Sequence, residues 1–238
     1  MQDFFIGFGY ILLYFAICAP AAFVLRLTVK MPDEVFRKIL HCILLGSLSV
    51  WVVAFPNWWM TALSAIVFAV IVYPFLFFAE KLKGYSKLVT ERKTGELKRS
   101  LLIVFFMFAI VVSVCWGWQQ DKLLALASIY AWGFGDAFAA LVGKRFGKHK
   151  IGGKIIHGRK SVEGTVAMFV VSFCCVFGIL MVRGGLAWYA YPIIAFVTAL
   201  VSAFVELYTL NGIDTITCPL AAMTVLVPMI HLFGGALS

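Results

Sequence analysis

Charge is what this chain has least of. Only 13% of its 238 residues are Asp, Glu, Lys or Arg, against about 25% in an ordinary soluble domain. Apolar residues make up 63%, where about 45–50% is usual. A soluble fold of this length has nowhere to hide that surplus, so a soluble globular protein is excluded. A chain whose solvent is lipid has no such need. Acids are scarcer than bases: 11 Asp and Glu face 20 Lys and Arg, for a formal charge of +9. In a soluble protein this excess would suggest nucleic acid. In a membrane protein it follows from basic cytoplasmic loops, and no nucleic-acid partner is expected. The six cysteines form no CxxC pair and no zinc-spaced cluster with His, so neither a disulfide framework nor a zinc site is expected. There is no Walker A spacing, no redox-cofactor motif, no Ser-His-Asp signal and no internal repeat. No basic residue precedes the apolar run at 4–25, which therefore reads as a first membrane span and not as a cleavable signal.

What is present is a series of apolar runs. A span needs about 20 mostly apolar residues. Eight are expected, at roughly 4–25, 38–55, 60–79, 100–118, 123–142, 165–182, 188–208 and 216–236. They predict an all-α, polytopic transmembrane bundle that is a single integral membrane domain over residues 1–238. Of the 20 Lys and Arg, 18 fall in the first, third and fifth connections. Lys122 and Arg183 are the exceptions. The positive-inside rule then makes the connections near 26–37, 80–99, 143–164 and 209–215 cytoplasmic and puts both termini outside. Trp58, Trp59, Trp116, Trp118, Trp188 and Tyr189 flank the opposite ends of the spans, as interfacial anchors do.

Against that apolar background a few polar residues stand out. Asp136 lies within the fifth span, and a carboxylate at membrane depth marks a functional site unless it is structurally paired. Gly133 and Gly135 before it permit a close backbone approach or a break in the helix. After it, Gly143, Lys144, Arg145, Gly147, Lys148, Lys150, Gly152, Gly153, Lys154, Arg159 and Lys160 alternate base with glycine. Such a pattern brings backbone N–H groups and cations to a phosphate. Ser161 and Thr165 are candidate caps of the sixth span, whose N-terminus would favour an anion. Glu206 ends the seventh span, and Asp214 follows in a connection without Lys or Arg. Arg37, Lys38 and His41 begin the second span, Glu96 and Arg99 the fourth, and Glu163 the sixth. Carboxylates facing basic loops suit Mg²⁺ on a nucleoside triphosphate, since Mg²⁺ prefers one or two carboxylates plus phosphate oxygens. Phosphoryl or nucleotidyl transfer needs mainly positioning and charge neutralisation. A transporter would place its ionisable groups near the midplane; these gather at one face.

The run Gly135-Asp136-Ala137-Phe138-Ala139-Ala140-Leu141-Val142-Gly143-Lys144-Arg145-Phe146-Gly147, followed by Lys160-Ser161-Val162-Glu163-Gly164-Thr165, resembles the signature of the CTP-dependent lipid kinases. That family includes dolichol kinase, phytol kinase and the CTP-dependent diacylglycerol kinases. Arg37-Lys38-Ile39-Leu40-His41, Gly95-Glu96-Leu97-Lys98-Arg99-Ser100, and Glu206 with Asp214 and Pro219 are similar to its other motifs, so the resemblance runs from about residue 35 to 220. Family members often carry Asp-Asn where this chain has Asp214-Thr215. Phosphatidate cytidylyltransferases share much of the central run, but their C-terminal Lys-Asp and His-Gly-Gly signature is absent here. The resemblance implies transfer of the γ-phosphoryl of CTP to the hydroxyl of a membrane lipid, an isoprenoid alcohol (dolichol, polyprenol or phytol) or diacylglycerol, at the cytoplasmic face. It implies Mg²⁺ on Asp136 with Glu206 or Asp214, and a general base that is Asp214 or Glu206. Phosphates would fall to Lys144, Arg145, Arg159, Lys160 and Ser161 with Gly143 and Gly147, and to Arg37 and Lys38. His41, Glu96, Arg99 and Glu163 would assist. The alternatives are a cytidylyltransferase making CDP-diacylglycerol and a non-enzymatic lipid or anion transporter.

Overall fold

The structure is a computed structural model and describes residues 2–81, 95–152, 160–209 and 213–234. Among the described residues, eight helices are long and apolar enough to cross a membrane. They are α1 (Gln2–Thr28), α2 (Asp33–Ala54), α3 (Trp58–Ala79), α4 (Glu96–Val112, continued by a π-helical segment Ser113–Trp118), α5 (Lys122–Phe146), α6 (Val162–Arg183), α7 (Ala190–Tyr208) and α8 (Asp214–Leu232). The protein is a multi-pass, all-α membrane protein, as the eight apolar runs predict. Large exposed side chains such as Phe5 (70%), Phe75 (73%) and Val182 (78%) are at home against lipid.

Several helices run past their apolar runs at the end that carries the basic residues. The fifth continues to Phe146, so Gly143, Lys144 and Arg145 lie on its last turns and not in a loop. Cations there complement the helix dipole. The second starts at Asp33, which moves Arg37 and Lys38 into its second turn. Helix α5 is unbroken through Gly133 and Gly135, so the break those glycines allowed is not realised, and Gly135 makes the close approach.

The chain forms two compact units, Met1–Ile110 and Val111–Ser238. In the first, an aromatic cluster joins α1 through α4: Trp51 meets Phe105 at 4.8 Å and Phe68 at 5.2 Å, and Phe15 stacks on Phe68 at 5.0 Å. The indole of Trp51 donates to Ser64 at 2.9 Å, and the hydroxyl of Tyr14 donates to the Ile43 carbonyl at 2.8 Å.

The second unit is a ring in which α5 packs on α6 and α8, α6 on α7, and α7 on α8. Lipid supplies no hydrophobic drive between membrane helices, so close contact requires small residues. Helix α5 provides them at every fourth position: Gly135, Ala139, Gly143, and Gly147 at its end. A Cβ on Gly135 would collide with Met168 and Ser172, and one on Gly164 would come within 3.0 Å of the Ala139 carbonyl. The Ser172 hydroxyl donates to the Ala131 carbonyl in the same seam. At the far end of the unit Asp121 caps α5, accepting from the backbone N–H groups of Leu123 and Leu124 at 3.1 Å, and receives Nε of Arg183. Both side chains of that pair are at least 98% buried, the exposed remainder being 2% and 1%.

Candidate active site

Alternating helix directions place four termini of the second unit at one end: the C-termini of α5 and α7 and the N-termini of α6 and α8. Asp136, Lys160, Glu206 and Asp214, which the sequence singles out, lie toward that end. Lys160, just before α6, reaches across to α7. Its ammonium lies 2.9 Å from the Glu206 carboxylate and also donates to the backbone carbonyls of Glu206 and, at 3.3 Å, Thr209. Carbonyls at a helix C-terminus carry the negative end of the dipole, so a cation is favoured there. Asp214 opens α8, at the positive end of its dipole. Asp136, half-buried on α5, and Asp214 both act electrostatically on Glu206. Buried Cys218 feels all three carboxylates. Lys160 thus pairs with Glu206, and Asp136 and Asp214 act on that pair's carboxylate from α5 and α8.

Among the described residues no three His, Cys, Asp or Glu side chains approach closely enough to hold a metal by themselves. Asp136, Glu206 and Asp214 are therefore not a preformed three-ligand cage. Neighbouring carboxylates that repel one another do suit a divalent cation whose remaining ligands are phosphate oxygens and water.

The basic loop is more structured than a run of Lys and Gly suggests. Lys150 and Ser161 form an isolated antiparallel bridge, with the Ile151 N–H donating to the Lys160 carbonyl (3.0 Å) and the Val162 N–H to His149 (2.9 Å). Ser161 caps α6 by accepting from the Gly164 N–H at 3.1 Å, as expected. Thr165 is no cap: its hydroxyl donates back to the Ser161 carbonyl. The backbone N–H groups of Lys148 and His149 donate to the Glu163 carboxylate at 3.2 Å, and the His149 ring stands 2.8 Å from it. Glu163 is thus a latch within the loop. Gly143 and Gly147 have packing duties: a Cβ on either would press on Ser161, and on Gly147 also on the Gly143 carbonyl. Lys144 and Arg145 are exposed at the end of α5. Arg159 lies outside the described residues.

Arg37, Lys38, His41, Glu96 and Arg99 belong to the first unit. There Arg37 pairs with Glu34 and lies 3.9 Å from Glu96. Lys38 is buried and Arg99 exposed.

Two residues went unnoticed in the sequence. The indole N–H of Trp132 makes a long 3.5 Å contact to Asp214, and Cys218 lies beside the carboxylates. Helical spacing holds the signal for both. Trp132 is four residues before Asp136 and Cys218 four after Asp214, and residues so spaced are neighbours on a helix surface.

Known proteins that the chain is similar to include two phytol kinases. That of Synechocystis sp. is 28% identical over 196 residues, covering 80% of this chain and 77% of that protein. The probable chloroplastic phytol kinase of Triticum aestivum is 31% identical over 145 residues, covering 57% of this chain and 45% of that protein. No profile of a known protein family matches the chain. No solved structure matches it either.

Proposed function

We propose that this protein is a membrane lipid kinase, transferring the γ-phosphoryl group of CTP to the hydroxyl of an isoprenoid alcohol at the cytoplasmic face. The observation that carries the reading is the meeting of Lys160 and Glu206 with Asp136 and Asp214 at one end of α5–α8. The similarity to two phytol kinases gives the reaction class: a kinase with an alcohol acceptor.

In this mechanism the alcohol oxygen bonds to the γ-phosphorus, the bond from that phosphorus to the β–γ bridging oxygen breaks, and CDP leaves. Asp214 takes the hydroxyl proton. The Glu206 carboxylate is already engaged by Lys160, so its part is to present that ammonium, which turns to the phosphates when nucleotide binds. Lys144 and Arg145 at the end of α5 hold the outer phosphate oxygens. Asp136, helped by Glu206, would hold Mg²⁺, which neutralises phosphate charge when bound. Catalysis of this kind rests on positioning and electrostatics, and no side chain here need act as a nucleophile.

The test is purified protein with α-labelled or γ-labelled CTP and a panel of phytol, polyprenol, diacylglycerol and phosphatidate. Label from the γ position on an isoprenoid alcohol is expected. Label from the α position on phosphatidate would make the protein a cytidylyltransferase, and no transfer to any lipid would remove it from both classes.

A further inference from the structure

A lipid alcohol joins a polar head to an apolar chain, so an enzyme acting on it needs an apolar track that ends at its reacting groups. One is present on α6 and α7. Thr165, Val166 and Phe169 face Leu200, Ala203, Phe204 and Leu207 across a cleft of about 170 Å³ whose accessible lining is entirely apolar. Ala203 is its floor, 4% exposed, while Val166 (54%) and Phe204 (54%) form an open rim. The same two helices are bridged at the end of this cleft by Lys160 and Glu206. Leu207 follows Glu206 directly, and Thr165 lies one turn beyond the Ser161 cap. The track and the polar cluster are therefore continuous.

We infer that the α6–α7 cleft binds the head-proximal part of the acceptor's hydrocarbon chain, with the hydroxyl delivered to the Lys160–Glu206 end. This rests on the lipid-kinase reading and adds to it a substrate subsite and an entry route from the bilayer. Its length follows from the helix: residues 200–207 rise about 10 Å at ~1.5 Å per residue. It holds only the first part of a long isoprenoid chain, and the remainder runs in lipid. Chain length beyond that point is therefore tolerated.

The test uses the full chain in nanodiscs of phosphatidylcholine with a diazirine-bearing phytol analogue. Labelled residues are identified by mass spectrometry, and phosphoryl transfer is measured in parallel. Labelling is expected at Phe169, Phe204 and their cleft neighbours, displaced by unlabelled phytol. Ala203→Trp fills the floor and should reduce that labelling, and kcat/KM for phytol, at least about tenfold while nucleotide KM stays within about twofold. Leu200→Trp, on the rim, repeats the test without touching the floor. Val182→Trp, fully lipid-facing at the other end of α6, should change nothing. Labelling spread over all exposed faces, or undisplaced by phytol, would overturn the inference and make the cleft a site of bulk lipid. So would unimpaired phytol labelling in both cleft variants. Specific, displaceable labelling without phosphoryl transfer would preserve the subsite and defeat the kinase reading.

Discussion

Asp136 separates function from stability at a single atom. Asp136→Asn keeps size and removes the charge that would hold a metal, so phosphoryl transfer should vanish while insertion and melting temperature persist. Near-parental transfer by the purified variant would reduce Asp136 to a structural residue. Lys160 is different: the structure has it reach from just before α6 to the C-terminus of α7, and the proposed mechanism makes it a phosphate ligand as well. Lys160→Gln should lower kcat/KM for the nucleotide by at least about tenfold, roughly 1.4 kcal/mol. Lys148→Gln removes an equal charge from an exposed side chain whose backbone, not its ammonium, bonds to Glu163; it should cost far less. Comparing Michaelis constants with melting curves distinguishes the two duties of Lys160, since loss of the tether alone would lower stability and leave nucleotide KM unchanged. Equal kinetic effects from the two variants would mean that the loop acts only as a diffuse positive field.

Helix ends explain what could and could not be read from sequence. The eight apolar runs announced eight helices because twenty consecutive apolar residues have few other homes. Their ends differ from the apolar runs because hydropathy marks where lipid stops, while backbone hydrogen bonding marks where the helix stops. Lys144 and Arg145 are charged and still helical. The grouping of Asp136, Lys160, Glu206 and Asp214 at one end was visible through alternating helix direction. The Lys160–Glu206 pair was not, because no periodicity links residues 46 apart. Nor was the clamp at the opposite end, where Arg183 had served only to mark topology. Asp121→Ala removes the cap of α5 and leaves a buried guanidinium without its carboxylate. The expected loss is about 3–5 kcal/mol, read as a lowered melting temperature in detergent. Arg183→Met added to it should restore part of that loss; no recovery would mean that the cap, not the ion pair, carries the effect. The glycines give a second contrast. Gly147→Ala drives a Cβ into the Gly143 carbonyl and Ser161, whereas Gly152→Ala, in the same basic stretch, meets nothing within 4 Å. Gly147→Ala should destabilise by about 1–3 kcal/mol and Gly152→Ala hardly at all. Equal, small effects would show that Gly147 is not needed for packing.

For the whole molecule the question is which way it sits in the bilayer, because the proposed reaction needs its polar end where nucleotide is. Two observations of different kinds agree. Of the 20 Lys and Arg, 18 lie in alternate connections, and basic connections stay on the cytoplasmic side. At the other ends of the helices stand aromatic rings largely open to their surroundings: Trp118 is 79% exposed and Trp188 84%, beside the starts or ends of α4 and α7. Rings of this kind anchor at the headgroup level, and the side chains on that side carry little charge beyond Asp3, Lys122 and the buried Asp121–Arg183 pair. Both termini and Trp188 are therefore expected outside, and residues 143–164 inside. A cysteine-free background is required, since the chain has six native cysteines. In it, Lys148→Cys should resist a membrane-impermeant maleimide in intact cells and react once the membrane is opened. Trp188→Cys should react from outside in both conditions. The reverse pattern would place the Lys160–Glu206 end in a compartment without nucleoside triphosphate, and the kinase mechanism would fail with the topology, whatever the purified protein does with added CTP.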